Sequence, residues 1–229
     1  LHVSCVKTKW VQSKGINKIL YLFNTILSPR MIAYFWLESK KMTPSTNKQF
    51  ISVSDHLLRN ILHCYPKLKK SINIATPGID TKTLDTNLLN NNNNIEKLRE
   101  KYNIPKSAFV LLFVAHDFKR KGLPVIIKSL ELLNNNDIYI MIAGKGESQK
   151  INIKSDTVRA NTRFLGAIGN INKIYPIADA LIHPTLNDTF GMAPLEAMLH
   201  KLPVIVSNSK YCGFSEYLDN EDAIILKNP

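Results

Sequence analysis

Acidic residues, cysteines and long apolar runs are all scarce in this chain of 229 residues. No stretch of 18 or more apolar residues occurs, so no segment reads as a membrane-spanning helix. The first residues carry no basic start, short apolar core and cleavage site, although a piece of a longer chain could have lost one. An opening without an initiator Met and an end just past a strand-like run predict such a piece. Only 18 Asp and Glu stand against 30 Lys and Arg, a net charge of +12. A surface this short of acid suits nucleic acid, anionic lipid or phosphorylated substrates, and charge alone does not choose among them. Cys5, Cys64 and Cys212 are odd in number, far apart and in no metal-ligand spacing. They read as small buried thiols in a reducing compartment, which favours the cytoplasm. There is no D-x-D metal motif and no strand platform interleaving aromatic and basic residues of the RNA-binding kind.

What the chain does contain is a repeated strand–helix alternation. "FVLLFVA" (109–115) is a continuous apolar run, as expected of a strand buried on both faces. "QFISVS" (49–54) and "SINIAT" (71–76) precede it. "DIYIMIAG" (137–144), "TRFLG" (162–166), "ALIHP" (180–184), "PVIVS" (203–207) and "AIIL" (223–226) follow, with helical patterns at 123–133, 171–179 and 194–200. This order predicts an α/β fold with a parallel sheet covered on both faces. Pro77-Gly78 and the Asn run at 90–94 predict a domain boundary near 77–95.

The first 45 residues differ. Lys7, Lys9, Lys14, Lys18, Arg30, Lys40 and Lys41 face one acid, Glu38, up to Met42. Ser28-Pro29 suits an N-cap followed by a first helical residue, predicting a helix through about Lys41. Tyr34, Phe35, Trp36 and Leu37 beside a basic rim suit either an interfacial helix on anionic lipid or a core-packing helix with a solvated end.

Three segments carry chemistry. In "DTFGMAPLEAML" (188–199), Pro194 reads as the first helical residue, which puts Glu196 in the first turn. There an acid could simply stabilise a helix end, by about 0.3–1 kcal/mol. Asp188 precedes Gly191 in the loop, so two carboxylates can surround a hollow lined by free amides. Acids there would accept hydrogen bonds from hydroxyls, and amides would bind phosphate. "HDFKRKGL" (116–123) follows the buried strand, and ligands of open parallel sheets bind at strand carboxyl ends. Lys119, Arg120 and Lys121 are therefore candidate phosphate ligands. "AGKGE" (143–147) ends another strand but lacks the third glycine of a dinucleotide fingerprint.

Together "FVAHDFKRKG", "AGKGE", "TRFLG", "ADALIHPTLNDTFGMAPLEAMLHKLPVIVS" and "GFSEYL" resemble the family 4 retaining glycosyltransferases over about residues 49–229. These have the GT-B fold of two Rossmann-like domains. The "DF-x-RKG" of the chain and its "YCGF" (211–214) are similar to the subset that adds glucose to the lipopolysaccharide core. The resemblance implies residues 1–78 as part of an acceptor domain, 79–95 as a linker and 96–229 as the sugar-nucleotide domain without its last helices. Residues 7–42 look like the subset's membrane-associating segment. D-x7-E matches the family's E-x7-E. By that match Glu196 holds the ribose hydroxyls, Asp188 contacts the donor sugar near the reacting carbon, and the amides of Gly191 and Met192, beside Phe190, meet sugar and diphosphate. Lys121 neutralises the diphosphate. Gly144 and Leu165, in the segments "AGKGE" and "TRFLG", join the expected donor site.

The implied activity is transfer of a hexose, glucose being expected, from a nucleotide sugar such as a UDP-hexose to a lipid-linked or lipopolysaccharide-core acceptor. Configuration would be retained and no metal would be required. The expected partners are the donor, a glycolipid or oligosaccharide acceptor and an anionic membrane surface, with no nucleic acid. The expected place is the cytoplasm, peripheral on the inner membrane face. Departures keep alternatives open. Asp188 is one methylene short, and His116 stands where many members have an Arg, which leaves Arg120 as the substitute. Lys201 replaces a usual Gly. His2 is a candidate counterpart of a His near the donor sugar, whereas His63, His183 and His200 read as structural or surface residues. The rivals are a mannosyl-, heptosyl- or N-acetylhexosaminyl-transferase, and a truncated non-catalytic basic membrane-surface module.

Overall fold

The computed structural model describes residues 15–81 and 92–229. His2, Cys5, residues 7–14 of the basic segment and residues 82–91 of the expected linker lie outside the described residues. Two compact units meet in sequence at Thr76 and Pro77.

The first unit opens with α1 (Ile16–Leu27) and α2 (Pro29–Lys41), followed by β1 (Phe50–Ser52), α3 (Asp55–Cys64) and β2 (Ile72–Ile74). Ser28 has an extended backbone and its hydroxyl accepts from the Met31 amide at 3.4 Å, while Pro29 is the first helical residue. The Ser-Pro pair thus starts α2 as its chemistry dictates. Ser54 caps α3 in the same way, accepting from Leu57 N at 3.1 Å. β1 and β2 run parallel, with Phe50 opposite Ile72. A small core of Met42, Leu57, Ile61 and Leu68 lies beneath them. The α2 helix buries none of its residues.

The second unit contains α4 (Asn92–Lys101), β3 (Phe109–Val114), α5 (Leu123–Leu133), β4 (Ile138–Ala143), α6 (Asp156–Ala160), β5 (Thr162–Gly166), β6 (Ala180–His183), α7 (Met192–Leu199), β7 (Val204–Ser207) and β8 (Ile224–Leu226). Among its described residues, six strands pair in parallel in the order β5-β4-β3-β6-β7-β8. The chain leaves β3 towards β4 and β5, then returns to place β6 on the other side of β3. The gap between the carboxyl ends of β3 and β6 is therefore the point where strand order reverses, the usual ligand position in such sheets. Val110 to Phe113 are buried, as the apolar run requires. At the opposite, amino end of the same two strands, Arg99 on α4 clamps the sheet. Its guanidinium meets both Asp179 oxygens at 2.9 Å, Ile177 O at 3.0 Å and Ala108 O at 3.2 Å. Asp179 in turn accepts from Val110 N at 2.7 Å.

Two local expectations need correction. The helical pattern at 171–179 is two 3-10 turns, Ile171–Lys173 and Tyr175–Ile177. Pro176 has no N–H to continue a helix and its ring clashes with the preceding turn. The helix expected at 194–200 begins instead at Met192. Pro194 is its third residue, where a missing N–H is still harmless. Glu196 is the fifth residue and lies in the second turn, so stabilisation of the helix end does not explain it.

Candidate functional site at the strand-order switch

The loop after β3 folds on its own residues first. The Asp117 carboxylate accepts from the Arg120 amide at 3.1 Å and from its Nε at 3.0 Å, and Lys121 N donates to Asp117 O at 2.9 Å. The Arg120 amide, ahead of its guanidinium, holds the Asp117 carboxyl below the usual range. Arg120 then stitches this loop to the one after β6. Its guanidinium donates to Asn187 O at 2.8 Å, and its own carbonyl accepts from Leu186 N at 2.9 Å. The approach is close enough to require glycine. Gly122 has φ +87°, and a Cβ there would lie 2.0 Å from Pro184 O. The glycine of "KRKG" and the proline of "HPT" are thus two sides of one contact.

The stitching brings Lys121 onto Asp188, where its ammonium pairs with Oδ2. His183, the last residue of β6, meets the same oxygen through Nε2 at 3.0 Å. Because a carboxylate accepts, Nε2 carries the proton and Nδ1 is a bare lone pair with no partner among the described residues. Burial pushes the His183 pKa down against the opposing pull of Asp188, so the ring is neutral. For Asp188, burial alone would raise the pKa. The His183 hydrogen bond and the Lys121 charge outweigh it and hold the carboxyl well below the usual range. The backbone of Asp188 is also fixed, donating to Tyr211 O at 2.7 Å and accepting from Gly213 N at 3.1 Å. Gly191, at φ +108°, turns the chain into α7, and a Cβ there would sit 2.8 Å from Cys212 Sγ.

Glu196 is held on the next helix. Its Oε2 accepts from the Tyr175 hydroxyl at 2.6 Å, and its backbone oxygen accepts from His200 Nδ1 at 2.8 Å. The His200 ring stacks on Tyr175 with centroids 4.8 Å apart. Burial, then the nearby carboxylate, push the Tyr175 phenol far up, so it remains a proton donor. Glu196 Oε1 accepts from nothing among the described residues.

The other expected residues divide. Gly144, at the end of β4, donates to Gly166 O at 2.7 Å, and Leu165 is half-buried near the end of β5. Met192 is exposed at the start of α7. The Phe190 ring is buried against Phe214 and Tyr217, with centroids at 5.5 and 6.2 Å, and its carbonyl accepts from Phe214 N at 2.6 Å and from the Cys212 thiol at 3.2 Å. His116 does not mimic an arginine here, since its Nδ1 accepts from Lys145 N at 3.2 Å. His183 and His200, read from the sequence as structural or surface residues, and Tyr175, not singled out, all contact the two acids. A histidine ending a strand at the order switch was the available signal for the first. Nothing in the sequence pairs Tyr175 with a residue 21 places on.

Lys201 has φ +58°, left-handed as the family's usual glycine would be. It closes α7, its amide reaching Met198 O at 2.9 Å. The penalty for a side chain there is about 1–2 kcal/mol.

His183, Asp188 and Cys212 place possible metal-ligand atoms within 4.8 Å of one another. They do not fit a resident cation. The Lys121 ammonium already occupies the position beside Asp188, and burial pushes the Cys212 thiol up to about 11. A metal would have to displace one and deprotonate the other.

A parallel sheet with this strand order, carrying a lysine and two acids beside its order switch and a glycine turn, has the Rossmann-like architecture of the GT-B glycosyltransferases. The chain belongs to the glycosyl transferases group 1 family, whose pattern matches residues 94–229. It is 25% identical over 220 residues to the lipopolysaccharide glucosyltransferase WaaG of Escherichia coli K12, covering 93% of this chain and 56% of WaaG. The crystal structure of WaaG superposes with a TM-score of 0.75 over 91% of this chain and 55% of that one. It is also 29% identical over 146 residues to the O-antigen biosynthesis glycosyltransferase WclY of Escherichia coli, 62% of this chain and 38% of WclY. The chain therefore spans about half the length, or less, of these relatives.

Proposed function

We propose that this chain carries the donor-binding half of a retaining hexosyltransferase that uses a nucleoside diphosphate sugar, UDP-glucose by preference. The acceptor is a hydroxyl of a lipid-linked or lipopolysaccharide-core saccharide. The observation that carries the reading is the joining of Lys121 and Asp188 across the order switch, with Glu196 on the adjoining helix. Lys121, with three donors, can serve Asp188 and a diphosphate oxygen together, and Arg120 adds a second cation at the rim. As the bond between the anomeric carbon and the diphosphate breaks, negative charge grows on the leaving oxygens. Fixed cations placed there stabilise that charge without reorganising. Asp188, ionised and held by His183, faces the hexose, and Glu196 takes the ribose hydroxyls. No metal is required in this arrangement, because Lys121 and Arg120 supply the charge.

The acceptor side is proposed to lie at a membrane. The α1 and α2 helices expose Ile16, Phe23, Leu27, Phe35 and Trp36, and Trp36 is 60% exposed. Lys40 lies over the Trp36 ring at 5.1 Å and Arg30 over Tyr34 at 5.5 Å, an arrangement that suits the headgroup region. Among the described residues no helix is long and apolar enough to cross a membrane, so the contact would be peripheral. Its expected place is the cytoplasmic face. The same exposed face favours the second reading, a membrane-surface module whose donor cleft is no longer used.

Titration of the chain with UDP, and with GDP in parallel, tests the choice. Saturable UDP binding that is lost in Glu196→Ala supports the donor reading. Tighter GDP binding moves the donor to a mannosyl type, and binding of neither leaves the surface module.

A further inference from the structure

We infer that Tyr175 and His200 are positioning residues that hold Glu196 ready for the ribose, and that they set how strongly the cleft depends on ribose hydroxyls. The inference rests on the donor reading above. Tyr175 lies in a short 3-10 turn ahead of β6, and Glu196 lies on α7. They belong to different elements, so the bond between them is a tertiary device. Tyr175 is fully buried, and its hydroxyl donates to Glu196 Oε2 at 2.6 Å. His200 is buried as well, one face of its ring stacked on Tyr175 at an interplanar angle of 25°. Its Nδ1–H donates to the Glu196 carbonyl at 2.8 Å, which anchors the same residue from the backbone side.

A glutamate side chain has three rotatable bonds, and ordering it on binding a ligand reduces affinity. Here one carboxylate oxygen is already committed to a buried phenol and the other is left free to accept. The free oxygen can take a hydroxyl without first losing rotamer freedom. The phenol also cannot compete as an acid. With its pKa pushed far up by burial and by Glu196, it stays protonated and keeps donating across the working pH range. His200 cannot swap partners either. Its Nδ1 must carry the proton to reach a carbonyl, so the ring is fixed in one tautomer.

The test is a comparison of ligands on the whole chain. UDP and GDP are each titrated beside their 2′,3′-dideoxy counterparts, on wild type, Tyr175→Phe, His200→Phe, Glu196→Ala and the Tyr175→Phe/Glu196→Ala double variant. Phe at 175 keeps the ring and removes only the hydroxyl, and Phe at 200 keeps the stack and removes only the donor. The expected result for Tyr175→Phe is about a tenfold loss for the ribonucleotide, as for a lost hydrogen bond to a charged group. The dideoxy form should change less than about twofold. His200→Phe should show the same selective pattern at about threefold, which keeps the inference testable if Tyr175→Phe does not fold. In the Glu196→Ala background the Tyr175 change should have no further effect. Equal losses for both ligand forms would make Tyr175 merely structural and overturn the inference. No change in either single variant would overturn it too. In both cases wild-type binding would leave the donor reading standing. Failure of the wild-type chain to bind any of the four ligands would overturn both together.

Discussion

The two units treat large apolar side chains in opposite ways. In the second unit, Phe113, Leu112, Ile140, Met141, Ile142 and Leu181 are sealed within a parallel sheet. In the first, Ile16, Ile19, Phe23, Ile26, Phe35 and Trp36 stand in solvent on two well-formed helices. The sheet set lies in continuous apolar runs and the helix set recurs at helical spacing, and both belong to a chain of ordinary hydrophobic content. The difference teaches that sequence pattern specifies an element, whereas a partner surface specifies its burial. Among its described residues, the first unit has a core of a few residues and a parallel sheet of two strands. The second closes six strands and fixes its cleft by polar bonds between loops.

Substitutions should separate the units sharply. Phe113→Ala should lower stability by about 3–5 kcal/mol, read by urea unfolding, because it empties a fully enclosed site. Trp36→Ala should shift stability by no more than about 0.5 kcal/mol. It should instead reduce flotation of the chain with anionic vesicles severalfold. A large loss of stability from Trp36→Ala would mean that the exposed face is really a core face, and the comparison would break.

Acid should act on the second unit ahead of its carboxylates. His183 is held neutral in the folded state, with a pKa below its unfolded value of about 6.5. Below that pH the unfolded chain takes up a proton that the folded chain refuses, so stability falls as pH drops and is flat above. Asp188, also depressed when folded, adds a second loss as pH falls below the carboxylate range. His183→Gln can still donate to Asp188, and it should remove the loss that begins below about pH 6.5 while sparing the one at carboxylate pH. An unchanged profile would place the titrating group elsewhere. A modest gain is expected at Lys201→Gly, which should add about 1 kcal/mol by relieving the left-handed residue after α7.

Much of this architecture was readable in advance, for physical reasons that differ by element. Strands such as 109–114 and 138–143 are buried on both faces, so they appear as continuous apolar runs. The Ser28-Pro29 pair states the start of α2 outright. The start of α7 was misplaced because Pro194 is equally at home in the first or third helical position, and the decisive turn is the left-handed Gly191. The segment 171–179 has helical spacing, yet Pro176 divides it. Lys121, Asp188 and Glu196 stand out by their motifs, and the structure pairs the first two. The residues that steady the two acids are harder to read: His183, five places before Asp188, ends a strand in an apolar segment as a structural histidine would, and Tyr175 reaches Glu196 through a tertiary contact that leaves no spacing in the chain.

In the proposed reading, the loops after β3 and β6 together form a diphosphate site through Lys121. The most direct measurement is the affinity of the chain for UDP against uridine, in wild type and in Lys121→Met. UDP should bind at least about 30-fold more tightly than uridine, as charge-assisted bonds to a diphosphate require, and Lys121→Met should erase most of that advantage. Equal affinities in wild type, or an advantage untouched by Lys121→Met, would contradict the account.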